Sequence, residues 1–446
     1  VWADEVTGFA GDISATGGID DGDGGLVEVS GKQDLSFDGT VDVSANNGQS
    51  GTLLLDPQNI NIVADGGEGA PDDIELIDNE ILFGDSPGAT FTISDTFLES
   101  LAADANIILE ATNNITIEQL FGDNTLNFQA TTGSVSFRAD GTFTSQGTDI
   151  HTQGGDVSIE AGSVAGSSME IRTNGGNINV TSSNGEIPFG LFLFANSSST
   201  SATGGNITID AQNDVVLSGR GLNINSSGPQ GGGTVTITSS TGIVDIGNIN
   251  TTSSASNGGD VTINASNSIF TGTINSSGVT AGGNVILTSA AGAIATDFAT
   301  EGPPLNPINT SSSAGNGGVV DLTAPIRISL GAIDTSGALA SGDITLESDQ
   351  LDLTGGAGSV IGPGADMLIQ PSSANQDIVI GAAGETELDL TQAELAALAD
   401  GFSTITIGRA DATGTLTVDP AGANFNSSLL LQSPGPGAVS YTHLRA

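Results

Sequence analysis

GGNITIDAQNDVVLSGRGLNINSSG, residues 204 to 228, holds three short segments separated by small polar residues. In the first, Ile207 and Ile209 alternate with polar neighbours, and in the third Leu222 and Ile224 do the same. That is the two-residue period of a strand with one buried face. The intervening Gly, Asn, Asp and Ser favour tight corners, where positive φ is cheap. Three such strands cannot bury their apolar faces alone. Stacked on a second copy about 4.8 Å away, each pairs in parallel and closes a narrow core.

The opening phrase recurs. Versions of Gly-Gly-polar-apolar-polar-apolar start at positions 154, 175, 204, 232, 258, 282, 317 and 341. A repeat of this size, roughly 20–35 residues, marks a stacked architecture. The expected fold is all-β, a right-handed parallel β-helix with about three strands per rung, and the uneven steps read as corner loops of different length. The polar residue after each Gly-Gly suits an outward ladder between rungs. Asp156, Asp260 and Asp343 occupy it in non-adjacent repeats, which keeps like charges apart.

Residues 1–63 already carry rung phrases, at Gly24-Gly25-Leu26-Val27 and Gly51-Thr52-Leu53-Leu54. Segment 64–125 breaks the rhythm and reads as irregular, with a short helix over 95–103 capped by Ser94. Residues 126–350 hold the regular repeats. A looser β-rich stretch, 351–432, contains the capping box Thr391-x-x-Glu394, which predicts a helix over 392–400 ending at Gly401. Residues 433–446 read as a linker and a non-native tail, because VSYTHLRA departs from the rest in composition and holds the sole Tyr. The chain starts at Val1 without an initiator Met or a signal-type segment, and so reads as an internal fragment.

Seven basic residues face 52 acidic ones, a net charge of −45. Nucleic acid and anionic membrane surfaces are therefore poor partners. With no Cys, disulfides and thiolate chemistry are excluded. No apolar run is long enough for a transmembrane helix, so no membrane insertion is expected.

Catalytic parts are sparse, and no enzyme is expected. His151 is the sole His outside the tail, and it reads as a strand or turn residue. A polysaccharide-degrading β-helix is the enzymatic alternative. It needs clustered carboxylates with Arg or Lys, yet Lys32, Arg138, Arg172, Arg220, Arg327 and Arg409 are scattered singly. Asp20, Asp21 and Asp23 on a glycine loop are the weak Ca²⁺ candidate, since carboxylates suit a hard cation. They lack EF-hand spacing, because Lys32 stands where a bidentate Glu would, and an acidic surface turn is the plainer reading. Arg409 and Asp411 are expected to pair at the surface, contributing little. Threonine pairs such as Thr234-x-Thr236 are not spaced one per rung, so no flat hydroxyl array is expected.

Three phrases carry a family likeness. GGLVEVSGKQDLSFDGTVDVSANNGQSGTLLLDPQNINI (24–62), TISDTFLESLAADANIILEATNNITIE (92–118) and LDLTQAELAALADGFSTITIGRADATGTLTV (388–418) resemble segments of filamentous haemagglutinin-like exoproteins of Gram-negative bacteria. The resemblance reaches to about residue 432. It implies a β-helical stalk of a secreted or surface-attached adhesin, exported by an outer-membrane two-partner-secretion transporter and contacting host or bacterial surface glycans or proteins. An inert spacer carrying a distal effector or toxin domain is the other reading the resemblance allows. The family's secretion domain and effector domain are not visible in this sequence.

Overall fold

A computed structural model describes the chain except for residues 5, 32–33, 46–47, 57, 65–89, 102–103, 121, 123, 167, 189, 218–221, 297–307, 383–386, 420–422, 426, 434–438, 441–443 and 446. Much of segment 64–89, together with Lys32 and Arg220, lies outside the described residues. The described residues form two compact units, Val1–Asn196 with Gly205–Gln212, and Ser197–Gly204 with Asn213–Ala446. Both are built as parallel β-helix.

In the second unit a rung runs through Val235–Ser239, Val244–Ile246 and Asn248–Asn250. Each strand pairs in parallel with its counterpart one repeat on: Val261–Ala265, Ile269–Thr271 and Ile274–Asn275. The first of these sheets continues through Val285–Ser289, Val320–Thr323, Ile344–Glu347, Asp366–Gln370, Thr404–Gly408 and Ser428–Gln432. Registered pairing stacks like on like. Val235, Val261, Val285, Val320 and Ile344 form one inward column, and Ile237, Ile263, Leu287, Leu322 and Leu346 the next. All ten are buried. At about 1.5–3 kcal/mol for each buried aliphatic side chain, these columns are the main source of stability.

The first unit repeats the arrangement. Val135, Val157, Ile178 and Ile207 stack, beside Phe137, Ile159, Val180 and Ile209. Its core also holds an edge-to-face aromatic set, with Phe137 ring centroids 6.3 Å from Phe128 and 5.3 Å from Phe143. The stretch that loses the repeat in sequence still supplies rungs. Asn106–Ala111 pairs with Thr52–Asp56, and Asn114–Ile117 with Asn59–Val63. Thr90–Ser94 pairs with the other edge of Asn59–Val63, so the chain steps backward before it resumes.

The paired glycines serve a different purpose from the one expected. Gly154 and Gly175 have positive φ, at 133° and 113°. From Gly232 onward the phrase glycines do not. There a Cβ on Gly259 would collide with the Gly233 carbonyl oxygen, and one on Gly318 with that of Gly283. Glycine is required because successive backbones touch at this corner. The carbonyls there are closed by buried hydroxyls: Thr251 Oγ1 donates to Gly259 O, Thr310 to Gly318 O and Thr335 to Gly342 O, each at 2.7 Å. These fully buried threonines are satisfied, as buried polar groups must be.

Both short helices lie where the sequence places them. Helix α1 spans Asp95–Ser100, with Ser94 accepting from the Phe97 N–H at 3.3 Å. Helix α2 spans Gln392–Ala397 behind the Thr391–Glu394 capping box. It ends before Gly401 because the chain rejoins the sheet: Leu398 bridges Val360, and the Ala399 N–H donates to Val360 O at 2.9 Å. Val439–Ser440 and Leu444–Arg445, in the segment read as linker and tail, form short strands against Leu416–Val418 and Ala423–Asn424.

Candidate functional site

In a parallel β-helix alternate residues face outward, and each outward column gathers side chains that lie a whole repeat apart in the chain. In the first unit one such column brings together Glu110, Arg138 and Glu160. A little further along, the strand Ser134–Ser145 bulges between Ala139 and Thr142, which lifts Asp140 outward. The next rung contributes Thr181, Ser183 and Asn184. Together these line an open groove of about 520 Å³. Gly162 in its lining is fixed by close backbone approach; a Cβ there would run into the Asp140 carbonyl oxygen.

The groove carries three carboxylates and one guanidinium. Arg138 stands between the two glutamates, its Nη1 3.6 Å from Glu110 Oε2 and its Nε 3.7 Å from Glu160 Oε2. Both separations exceed hydrogen-bonding length, and all three side chains are roughly half exposed. The sequence shows Arg138 as an isolated cation, since one partner lies a whole repeat before it and the other a whole repeat after it.

His151 lies on a neighbouring sheet, in register with Asn127 and Arg172. Its Nε2 makes no hydrogen bond, although Glu170 Oε1 is 3.4 Å away. That oxygen is held by Arg172, through Nη2 at 2.6 Å and Nε at 2.7 Å. The Arg172 guanidinium also lies over the Phe194 ring, 4.8 Å from its centroid. Asp149 accepts from the Glu170 N–H at 2.7 Å, but burial outweighs this bond and raises its pKa.

The Ca²⁺ candidates do not converge. Asp21 Oδ1 accepts from the Gly22 N–H, and Asp23 Oδ1 from the Gln49 N–H, each at 2.8 Å. All three aspartates are exposed, and among the described residues no group of three or more His, Cys, Asp or Glu is placed to hold a metal ion. Asp23 is instead tied to the next rung.

Arg409 corrects the surface-pair expectation. It grips Asp411 through Nε at 2.9 Å and Nη2 at 3.3 Å, as the spacing suggests. Its side chain is only 20% exposed, and Nη1 also donates to the carbonyls of Pro371 and Ser372 at 3.1 and 3.0 Å. It is a staple across rungs rather than a surface pair. On the outward face of the same unit the stack Thr236, Thr262, Ile286, Asp321, Thr345 interrupts the hydroxyls with Ile286 and Asp321.

No described helix is long and apolar enough to cross a membrane. Comparison with protein-family models, curated proteins and solved structures gives no match.

Proposed function

We propose that this chain is stalk from a secreted or cell-surface exoprotein of the filamentous haemagglutinin type, exported by a two-partner-secretion transporter and serving attachment. The observation that carries the reading is the registered parallel ladder. Rung after rung repeats one apolar column inside and polar columns outside, and each completed rung offers the next a template of strand edges. With no cysteine, nothing in this assembly needs oxidation. An exported chain can cross a membrane extended and then fold by adding rungs. Attachment then draws on many outward polar contacts, made adequate by avidity over many molecules.

A spacer that binds nothing itself is the second reading, favoured by the same ladder. The polysaccharide-degrading alternative has less support. Glu110 and Glu160 stand two rungs apart, about 9.6 Å along the ladder. Arg138 fills the gap in which a scissile bond would have to lie. Beads carrying the chain are to be scored for attachment to host cells, other bacteria and abiotic surfaces, beside a length-matched inert β-helix. Attachment above that control is expected; attachment equal to it leaves the spacer.

A further inference from the structure

We infer that the groove around Arg138 binds a short stretch of uncharged, hydroxyl-rich glycan, a deepening that rests on the attachment reading. The first ground is unspent hydrogen-bonding capacity. The three other arginines with described side chains each close a short bond: Arg172 to Glu170 at 2.6 Å, Arg327 to Gln350 at 2.9 Å and Arg409 to Asp411 at 2.9 Å. Arg138 closes none, because Glu110 and Glu160 stop at 3.6 and 3.7 Å. At that spacing charges attract, but the donors and lone pairs stay open to a third party. A sugar hydroxyl donates and accepts at once, so it can bridge guanidinium and carboxylate together.

The second ground is the mixture of partners. The groove offers acceptors at Glu110, Asp140 and Glu160, donors at Arg138, and side chains of both kinds at Thr181 and Asn184. A polycation would satisfy the carboxylates and meet Arg138 head on. An acidic sugar would pair with Arg138 and face three carboxylates. An uncharged ligand carrying donors and acceptors together satisfies both sets. The third ground is shape. The lining comes from successive rungs about 4.8 Å apart, which suits an extended chain laid along the stacking direction. The volume falls within the usual range for small-ligand sites and takes about two or three rings.

Titration calorimetry with the intact chain tests this, using neutral hexose oligosaccharides of two to four units, an oligogalacturonate and a chitosan oligomer as probes. Saturable binding of a neutral oligosaccharide is expected, weakened tenfold or more by Asp140→Asn and by Arg138→Ala, and unchanged by Arg172→Ala outside the groove. Melting curves accompany each variant, and Asp140→Asn, at an exposed bulge, keeps the test standing if Arg138→Ala folds poorly. Preference for either charged probe, neutral binding indifferent to both groove variants, or no binding at all overturns the assignment. If beads still attach while the groove binds nothing, the site is wrong and the attachment reading stands. If beads fail while the groove binds, attachment is the part that falls.

Discussion

Asp260 Oδ1 accepts a hydrogen bond from the backbone N–H of Asn284 at 2.7 Å, one rung further along. Asn284 Oδ1 then accepts from the Val319 N–H at 2.9 Å. The same relay joins Asp156 to Asn177 and Asn177 to Asn206 in the first unit, at 2.7 and 2.8 Å. At these positions the Asp or Asn after Gly-Gly thus supplies an acceptor for the backbone N–H of the matching residue one rung on. Only an oxygen is needed, which is why Asp and Asn interchange there. It also lets Asp343 and Asp366 stand on adjacent rungs, with Asp343 Oδ1 accepting from the Asp366 N–H at 2.9 Å. Avoidance of stacked like charge does not govern this column.

Asn284→Ala should therefore cost about 1 kcal/mol, the usual net value of one such bond. Asn284→Asp keeps the acceptor and should be close to neutral. Urea unfolding of the two variants separates the cases; equal losses would show that the carboxamide N–H₂, rather than the oxygen, matters.

Ile263 is fully buried between Ile237 and Leu287, whereas Thr262 on the same strand faces outward. Ile263→Asp should cost several kcal/mol, since it places a charge between apolar rungs. Thr262→Asp should change stability by less than about 0.5 kcal/mol. A parent-like melt for Ile263→Asp would show the register to be wrong.

Gly259→Ala should destabilise strongly, by roughly 2 kcal/mol or more, because the added methyl meets backbone of the preceding rung that cannot yield. Gly356 makes the useful contrast. It has φ of 83° with open space around its missing side chain, so Gly356→Ala should cost only the conformational strain, about 1 kcal/mol. Chemical denaturation of both variants checks the order. The reverse order would mean that conformation rather than close approach selects glycine in the phrase.

Asp321 stacks between Ile286 and Thr345 on the outward face, and burial followed by the charge of Glu347 raises its pKa above 3.8. Its folded form thus holds a proton more tightly than the unfolded chain does. Stability from this group is present below the unfolded pKa and is lost as pH rises through the folded one. Asp321→Asn removes the penalty. It should raise the melting temperature at pH 7 and leave it unchanged once the pH is below both values. A variant that melts lower than the parent at pH 7 would mean that Asp321 is held by a favourable partner instead.

Much of this was legible because a parallel ladder repeats its chemistry. The alternation at Ile207 and Ile209 set the inward face, and the spacing of the Gly-Gly phrases set the register that stacks Ile237, Ile263 and Leu287. The Thr391–Glu394 box fixed where α2 begins, since capping is local. Its end was not legible, because Leu398 leaves the helix for a partner far back in the chain, Val360. Nor was the backward step of Thr90–Ser94, which depends on which edge of Asn59–Val63 is open. The groove was hidden for a related reason. Glu110, Arg138 and Glu160 meet through repeats of unequal length, so no fixed spacing marks them. The threonine that closes the corner carbonyl was visible as a residue, in Asn250-Thr251, Asn309-Thr310 and Asp334-Thr335, but its role needs the stacked glycine to be seen.

Arg409 gives the last prediction. Its guanidinium forks onto Asp411 and also donates to the carbonyls of Pro371 and Ser372, while Glu347 Oε1 lies 3.5 Å from Nη1. Gln370 Nε2 donates to the second oxygen of that glutamate at 2.6 Å, so three successive rungs are tied through one charged centre. The hydrogen bond and charge of Asp411 raise the Arg409 pKa further, so the charge persists at any working pH. Arg409→Lys keeps the charge but loses the planar fork, and a single ammonium cannot reach Asp411 and both carbonyls together. A loss of about 1.5–3 kcal/mol is expected for Arg409→Ala, with most of it retained in Arg409→Lys. Asp411→Asn, at the exposed end of the fork, should cost clearly less than either. Because carbonyl contacts carry part of the bond, the loss in Arg409→Lys should survive salt at about 1 M, whereas a simple surface ion pair would be screened away. Unfolding free energies at low and high salt decide it: if Lys restores parent stability, or if salt abolishes the difference, Arg409 is a surface charge after all and the staple across the rungs is not what holds this corner.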